Sequence, residues 1–359
     1  MTTTQRVRRA GLATAAALVI GGSGVAIGAA ATDSSASGTP AAATAPAVPG
    51  PATPGPASYA SVVRQVLPSV VLIRTENGLG SGVVLDRSGN IVTNAHVAGN
   101  ATKFQVQVAG DTAPRSAKLV GTYPPDDLAV IRADDPSGLQ PATFGDSGKV
   151  QAGDVVLAIG NPLGLSGSVT QGIISATDRA VTEPATDGSP AATLPGAIQT
   201  SAPINPGNSG GALVSASGQV VGIPTLAAGS PQGGGQAQGI GFAIPSNLAR
   251  DIATQIIDTG HVTNSHRAAI GAEVATVLGP DGTAGGVGVV AVTSGGGAER
   301  AGLRAGDVIT AVAGAQTTDT TALSQALAAA KPGDTVTVTI SRDGQDRSVQ
   351  VTLGELPGS

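Results

Sequence analysis

Apolar residues fall in short runs near 69–76, 80–86, 91–94, 103–108, 117–121 and 128–132, and again near 155–160, 168–177, 197–201, 211–216, 219–223 and 240–244. The runs are rich in Val and Ile, and turn residues such as Arg87-Ser88-Gly89-Asn90 separate them, which predicts strands and hairpins. Two sets of six strands fit two antiparallel barrels. A short helix is expected at 59–66. A longer one is expected at 246–258, capped by Ser246, stopped by Gly260, with Leu248, Ile252, Ile256 and Ile257 on one face. Residues 178–195 and 225–238 break the pattern. Rich in Gly, Pro, Ala, Thr and Ser, they read as loops, long enough to be functional or disordered.

Beyond 268 the period changes. A helix near 319–330 places Leu323 and Leu327 one turn apart. Two alternating strands follow, with Val336, Val338 and Ile340 on one face of the first and Val349, Val351 and Leu353 on one face of the second. This predicts a small α+β domain, joined to the barrels through a polar stretch at 261–267.

The N-terminus has another character. Arg6, Arg8 and Arg9 precede an uncharged run from Ala10 to Thr32, long enough to span a bilayer, which takes about 20 apolar residues. This is an export signal with its arginines on the cytoplasmic side. It is either a membrane anchor or a cleaved signal peptide, since Ala29-Ala30-Ala31 resembles a cleavage site. Residues 32–58, with Pro40, Pro46, Pro49, Pro51, Pro54 and Pro56 among Ala, Ser and Thr, lack the apolar bulk to fold and read as an extended linker.

Composition narrows the chemistry. With 53 glycines, 24 prolines, no tryptophan and no cysteine among 359 residues, cores must be built from aliphatic side chains, and thiol catalysis, disulfides and Cys-based metal sites are excluded. The formal charge of −5 leaves no basic stripe for nucleic acid. No H-E-x-x-H occurs, which counts against a metalloprotease.

In Pro203-Ile204-Asn205-Pro206-Gly207-Asn208-Ser209-Gly210-Gly211, a serine sits between glycines ahead of an apolar run. Read blandly, this is a Gly-rich hairpin turn. Glycines also allow crowded backbone, however, so consecutive N–H groups can converge on the oxygen that becomes negative when a serine attacks a carbonyl. Such a serine needs a base. Of the three histidines, His261 and His266 lie in the polar joint and read as solvated, and only His96 lies among the upstream strands. The base needs an orienting acid. Asp127 heads the apolar run Leu128-Ala129-Val130-Ile131, whereas Asp126 reads as a solvated turn carboxylate.

The motifs T-N-A-H-V, D-L-A-V and G-N-S-G-G, in that order, resemble the trypsin-like serine proteases of the HtrA (DegP) family. Ile159-Gly160-Asn161-Pro162, Gln199-Thr200 and Gly239-Ile240-Gly241-Phe242-Ala243-Ile244-Pro245 match as well. Ala298-Glu299-Arg300-Ala301-Gly302-Leu303-Arg304-Ala305-Gly306-Asp307-Val308-Ile309 resembles the PDZ domain attached to such proteases. The resemblance implies a mainly β fold, a double six-stranded antiparallel β-barrel (trypsin-like) protease domain over 59–260 followed by a small α+β PDZ domain over 262–355. Carried over by position, His96 is the general base, Asp127 its orienter and Ser209 the nucleophile. The backbone N–H groups of Gly207, Asn208 and Ser209 form the oxyanion hole. Ile204, Gly222 and Ile223 line a specificity pocket for small aliphatic residues. Ala269, Ile270, Gly271 and Ala272 receive a peptide C-terminus at the PDZ domain. The segments 178–195 and 225–238 correspond to the family's regulatory and activation loops.

The chain departs from the family pattern at Ser201, where an aspartate is usual, and at Ala268 and Ala269, where Gly and an aromatic are frequent. The implied activity is an exported serine endopeptidase acting on unfolded or damaged envelope proteins, with no metal or organic cofactor. The alternative is a catalytically silent chaperone or peptide-binding scaffold on the same fold. A homo-oligomer is a further implication, a trimer held by aromatic residues near the start of the protease domain, where Tyr59 is the only aromatic before Phe104.

Overall fold

A computed structural model describes residues 56–76, 78–161, 167–183, 192–205, 207–229, 236–279 and 282–358. The export segment 1–31 and nearly all of the linker 32–58 lie outside the described residues. The first helix, α1 (Pro56–Val66), takes in the last residues assigned to that linker.

Six strands follow: β1 (Val70–Arg74), β2 (Leu79–Val84), β3 (Asn90–Thr93) and, after the one-turn helix α2 (Ala95–Ala98), β4 (Lys103–Val108), β5 (Arg115–Tyr123) and β6 (Leu128–Ala133). They close into a barrel in the order β1-β2-β3-β6-β5-β4. The second set is β7 (Val155–Gly160), β8 (Ser168–Glu183), β9 (Ala192–Thr200), β10 (Ala212–Ser215), β11 (Val220–Gly229) and β12 (Gln236–Pro245). It closes as β10-β11-β12-β9-β8-β7. Helix α3 (Ser246–Thr259) ends at Gly260, which takes φ 80°.

The apolar runs are continuous rather than alternating because both faces of most strands are buried. Val71, Val84, Ile91 and Ile131 belong to a cluster confined to the first barrel. Their neighbours Val70, Val83, Val92 and Val130 pack instead with Leu157, Val214 and Ile244 of the second barrel, and with Val66 of α1 and Ile256 of α3. One cluster thus joins both barrels and both helices. Tyr59, the aromatic available for trimer contacts, packs against this same cluster.

Three expectations need correction. The described parts of the segments read as long loops, 178–183, 192–195, 225–229 and 236–238, are strand, while 184–191 and 230–235 lie outside the described residues. Val181 pairs with Leu194 and Glu183 with Ala192, while Gly229 pairs with Gln236. Register shifts between Ile174 and Val181, with Asp178 in the left-handed region at φ 58°, interrupt the alternation that would have revealed β8. Ser246 does not cap α3. It is buried and its hydroxyl donates to the Gly145 carbonyl, 2.9 Å away. Asp126 is not a solvated turn residue but wholly buried, with Oδ1 3.0 Å from Arg267 Nη1.

The last domain holds β13 (Ala268–Ala269), β14 (Ala272–Leu278), β15 (Ala284–Val292), α4 (Gly297–Arg300), β16 (Val308–Val312), β17 (Ala315–Gln316), α5 (Thr320–Leu327), β18 (Thr335–Arg342), β19 (Gln345–Thr352) and β20 (Gly354–Glu355). Its main sheet runs β14-β15-β16-β18-β19, which leaves β14 at an edge. Asp307 fixes the characteristic turn: it accepts from the Arg304 N–H and pairs through both oxygens with Arg342. The domain meets the second barrel where Gln325 Nε2 of α5 donates to Thr182 Oγ1 of β8, 2.7 Å away. Among the described residues, no helix is long and apolar enough to cross a membrane.

Candidate active site

The 3-10 turn Pro124–Asp126 delivers the chain to Asp127, which takes the left-handed conformation at φ 51°. Asp is one of the few residues with a side chain that visits this region readily. The turn aims the Asp127 carboxylate back at α2. Oδ1 accepts the backbone N–H of His96 at 2.9 Å, and Oδ2 lies 2.9 Å from His96 Nδ1. The Asp127 carbonyl in turn accepts from Ala95 N and from Asn94 Nδ2. Backbone and side chain of Asp127 therefore both hold the histidine turn in place.

An ionised carboxylate only accepts, so Nδ1 carries the proton facing it and Nε2 is left to act as a base. The Asp127 side chain is 2% exposed and that of His96 22%. The acid is sequestered while the base reaches the surface.

Ser209 comes from the other barrel. Its hydroxyl donates to the Thr225 carbonyl at 2.9 Å, and the Thr225 hydroxyl donates to Asp127 Oδ2 at 2.6 Å. One threonine therefore connects the serine to the acid. Sequence reasoning missed Thr225, whose only signal is a hydroxyl closing the apolar stretch Val220-Val221-Gly222-Ile223-Pro224. Asp126, one residue from the acid, turns away to Arg267 and takes no part in the cluster.

The nucleophile loop is tightly tied. The N–H groups of Asn208, Gly210 and Gly211 donate to the carbonyls of Asn205, Pro224 and Asn208. Asn208 is thereby corrected as an oxyanion donor, because its N–H is already used within the loop. Gly207 and Ser209 remain the candidate donors. Gly210 takes φ 77°, and a Cβ there would lie 2.2 Å from the Ser81 carbonyl, so only glycine fits.

The expected specificity residues divide. Ile204 is buried in the interior cluster of the second barrel with Ile198, Leu213 and Val221. It lies over Gly241, where a Cβ would come 2.4 Å from Ile204 Cγ1. Gly222 faces the same side, toward Ala243 and Ile198. Ile223 does not, because strand alternation turns it into the cluster between the barrels. Among the described residues no group of three potential metal ligands comes together.

Ala269, Ile270, Gly271 and Ala272 all line a groove of about 600 Å³ between the start of β14 and α5, with Arg267, Leu323 and Leu327. The Ile270 side chain belongs to the core of this domain, so what it offers the groove is mainly backbone.

Comparison with known proteins agrees with this geometry. The trypsin-like peptidase domain family matches residues 80–223, and the PDZ domain family matches 262–353. The serine protease PepD of Mycobacterium tuberculosis is 40% identical over 317 residues, covering 83% of this chain and 66% of that protein. The periplasmic pH-dependent serine endoprotease DegQ of Escherichia coli is 36% identical over 330 residues, covering 82% of this chain and 70% of that one. The chain thus spans about two thirds of the length of these relatives. Among solved structures, the HtrA-type protease AlgW with decapeptide superposes with a TM-score of 0.54 at 34% identity, covering 83% of this chain and 99% of that one.

Proposed function

The chain belongs to the HtrA (DegP) family, trypsin-like serine proteases with a PDZ domain, and on that premise we propose how it cleaves and what it cleaves. Ser209 is the nucleophile of a serine endopeptidase. The Ser209 hydroxyl turns from the Thr225 carbonyl to His96 Nε2, which takes its proton as Oγ attacks the peptide carbonyl carbon. Asp127 holds the imidazole in the required tautomer and stabilises the imidazolium that forms. The backbone N–H groups of Gly207 and Ser209 receive the negative oxygen. His96 then protonates the leaving amine, and water, activated by the same imidazole, releases the acyl group from Ser209.

The observation that carries this reading is the pairing of His96 Nδ1 with Asp127 Oδ2, tied to the Ser209 hydroxyl through Thr225. The buried aliphatic Ile204 beside Gly222 and Gly241 offers no charge, so the residue before the cleaved bond is small and aliphatic, such as Val, Ala or Leu. One methylene is worth about 1–3 kcal/mol in such a pocket, and selectivity is accordingly loose. Substrates are unfolded or damaged proteins of the cell envelope, reached by export on the signal at 1–31. The groove beside the edge strand β14 takes a peptide C-terminus as an added strand.

The test is casein digestion by the full chain beside its Ser209→Ala variant, with cleavage sites mapped by mass spectrometry. Cleavage after small aliphatic residues that vanishes in the variant is the expected result. Equal digestion by both proteins would remove Ser209 from the mechanism, and sites dominated by Lys or Arg would overturn the pocket. Protection of casein from aggregation without cleavage would point to the silent scaffold instead.

A further inference from the structure

Ser81 belongs to β2 of the first barrel, is fully buried, and makes four hydrogen bonds, three of them to the second barrel and its loops and one to β3 of its own barrel. Its hydroxyl donates to the Gly207 carbonyl at 2.6 Å and accepts the Asn161 N–H at 2.8 Å. Its own N–H donates to the Ser209 carbonyl at 2.9 Å, and its carbonyl accepts from Thr93 Oγ1 at 2.7 Å. One residue of one barrel therefore grips two peptides of the nucleophile loop of the other.

A peptide unit is planar, with C=O and N–H pointing in opposite directions, so fixing both ends fixes the plane. The Gly207–Asn208 peptide is held by Ser81 Oγ at its carbonyl and by the Asn205 carbonyl at its N–H. The Ser209–Gly210 peptide is held by the Ser81 N–H and the Pro224 carbonyl. Between them, the Asn208 carbonyl accepts from Gly211, which leaves the Ser209 N–H pointing out of the loop. The Asn208–Ser209 peptide, which carries that N–H, lies between two planes that Ser81 anchors. The Ser81 hydroxyl anchors the first of them and the Ser81 N–H the second.

We propose that Ser81 is a positioning residue for the oxyanion hole: its hydroxyl and its N–H fix the peptides on either side of the Asn208–Ser209 unit and so the direction of the Ser209 N–H. This rests on the proteolytic reading of Ser209. A serine is required because one small atom must donate to a carbonyl and accept from an N–H at once. Alanine would leave the Gly207 carbonyl and the buried Asn161 N–H without this partner.

The experiment uses the full chain, wild type and Ser81→Ala, on a quenched peptide cleaved after valine, with a peptide boronate of the same sequence as the tetrahedral analogue. Thermal unfolding establishes that each protein is folded. If the wild type fails to cleave, the proteolytic reading itself falls, which separates the two failures. Given wild-type cleavage, removing one oxyanion donor costs about 10²–10³ in kcat, so misdirecting one should cost roughly 10–100-fold. The expectation is that loss in kcat, KM within about twofold, and boronate affinity weakened in parallel with kcat/KM. Ser81→Cys, slightly larger but still filling the site and offering a weak donor, should fall between the two, and it carries the test if the alanine variant does not fold. A loss confined to KM, unchanged boronate affinity, or wild-type kinetics in a folded variant would overturn the proposal.

Discussion

Asp127 Oδ2 has two neighbours of different kinds, the imidazole of His96 at 2.9 Å and the hydroxyl of Thr225 at 2.6 Å. The second bond orients the carboxylate before the first is used. Hydrogen bonds to charged groups are worth about 1.5–3 kcal/mol, so Thr225→Ala should lower kcat by roughly tenfold or more, and Thr225→Ser should restore most of it. Peptide kinetics on both variants check this, and equal loss in the two would mean that the methyl, not the hydroxyl, matters. His96, Asp127 and Ser209 were legible because their types are rare or placed: one upstream histidine, one aspartate heading an apolar run, one serine between glycines. Thr225 and Ser81 were not. A hydroxyl in an apolar strand looks like filler until the strand packed across it is known.

At the scale of elements, the 3-10 turn Pro124–Asp126 serves two masters. It sets Asp127 at φ 51°, and its own Asp126 is buried against Arg267, which also lines the groove of the last domain. Burial pushes the Asp126 carboxyl up from 3.8 to about 6, only partly opposed by the charge and hydrogen bond of Arg267 and by His266. Between about pH 4 and 6 the folded protein then keeps a proton that the unfolded chain has released. Stability contributed by this group is full below that window and declines as pH rises through it. Asp126→Asn should flatten that decline, so thermal unfolding from pH 4 to 6.5 should show a smaller drop in the variant than in the wild type. A steeper drop in the variant would place the shift in the other direction. The burial of Asp126 could not be read from the sequence, because its partner lies far along the chain in the stretch that reads as a polar joint. For β8 and β9 the obstacle was local: bulges break the two-residue period that marks a strand.

For the whole molecule, twelve strands in two closed barrels place the base and acid on one barrel and the nucleophile on the other, so neither barrel holds the cluster alone. That division was legible from two sets of six apolar runs. How the last domain reaches back was not, since Arg267 and Gln325 carry no signature of their contacts with Asp126 and Thr182. If the groove beside β14 takes peptide C-termini, a peptide with a free apolar C-terminus should bind the full chain more tightly than its amide and should change the rate of casein digestion. Equal affinity of acid and amide, by fluorescence titration, would falsify carboxylate capture. The central claim, that Ser209 is a nucleophile activated by His96, is tested most directly by reacting the full chain with diisopropyl fluorophosphate and mapping the adduct by mass spectrometry. A single adduct on Ser209, absent from His96→Ala, is the predicted result. An adduct on another serine, or none in a preparation that still degrades casein, would contradict it.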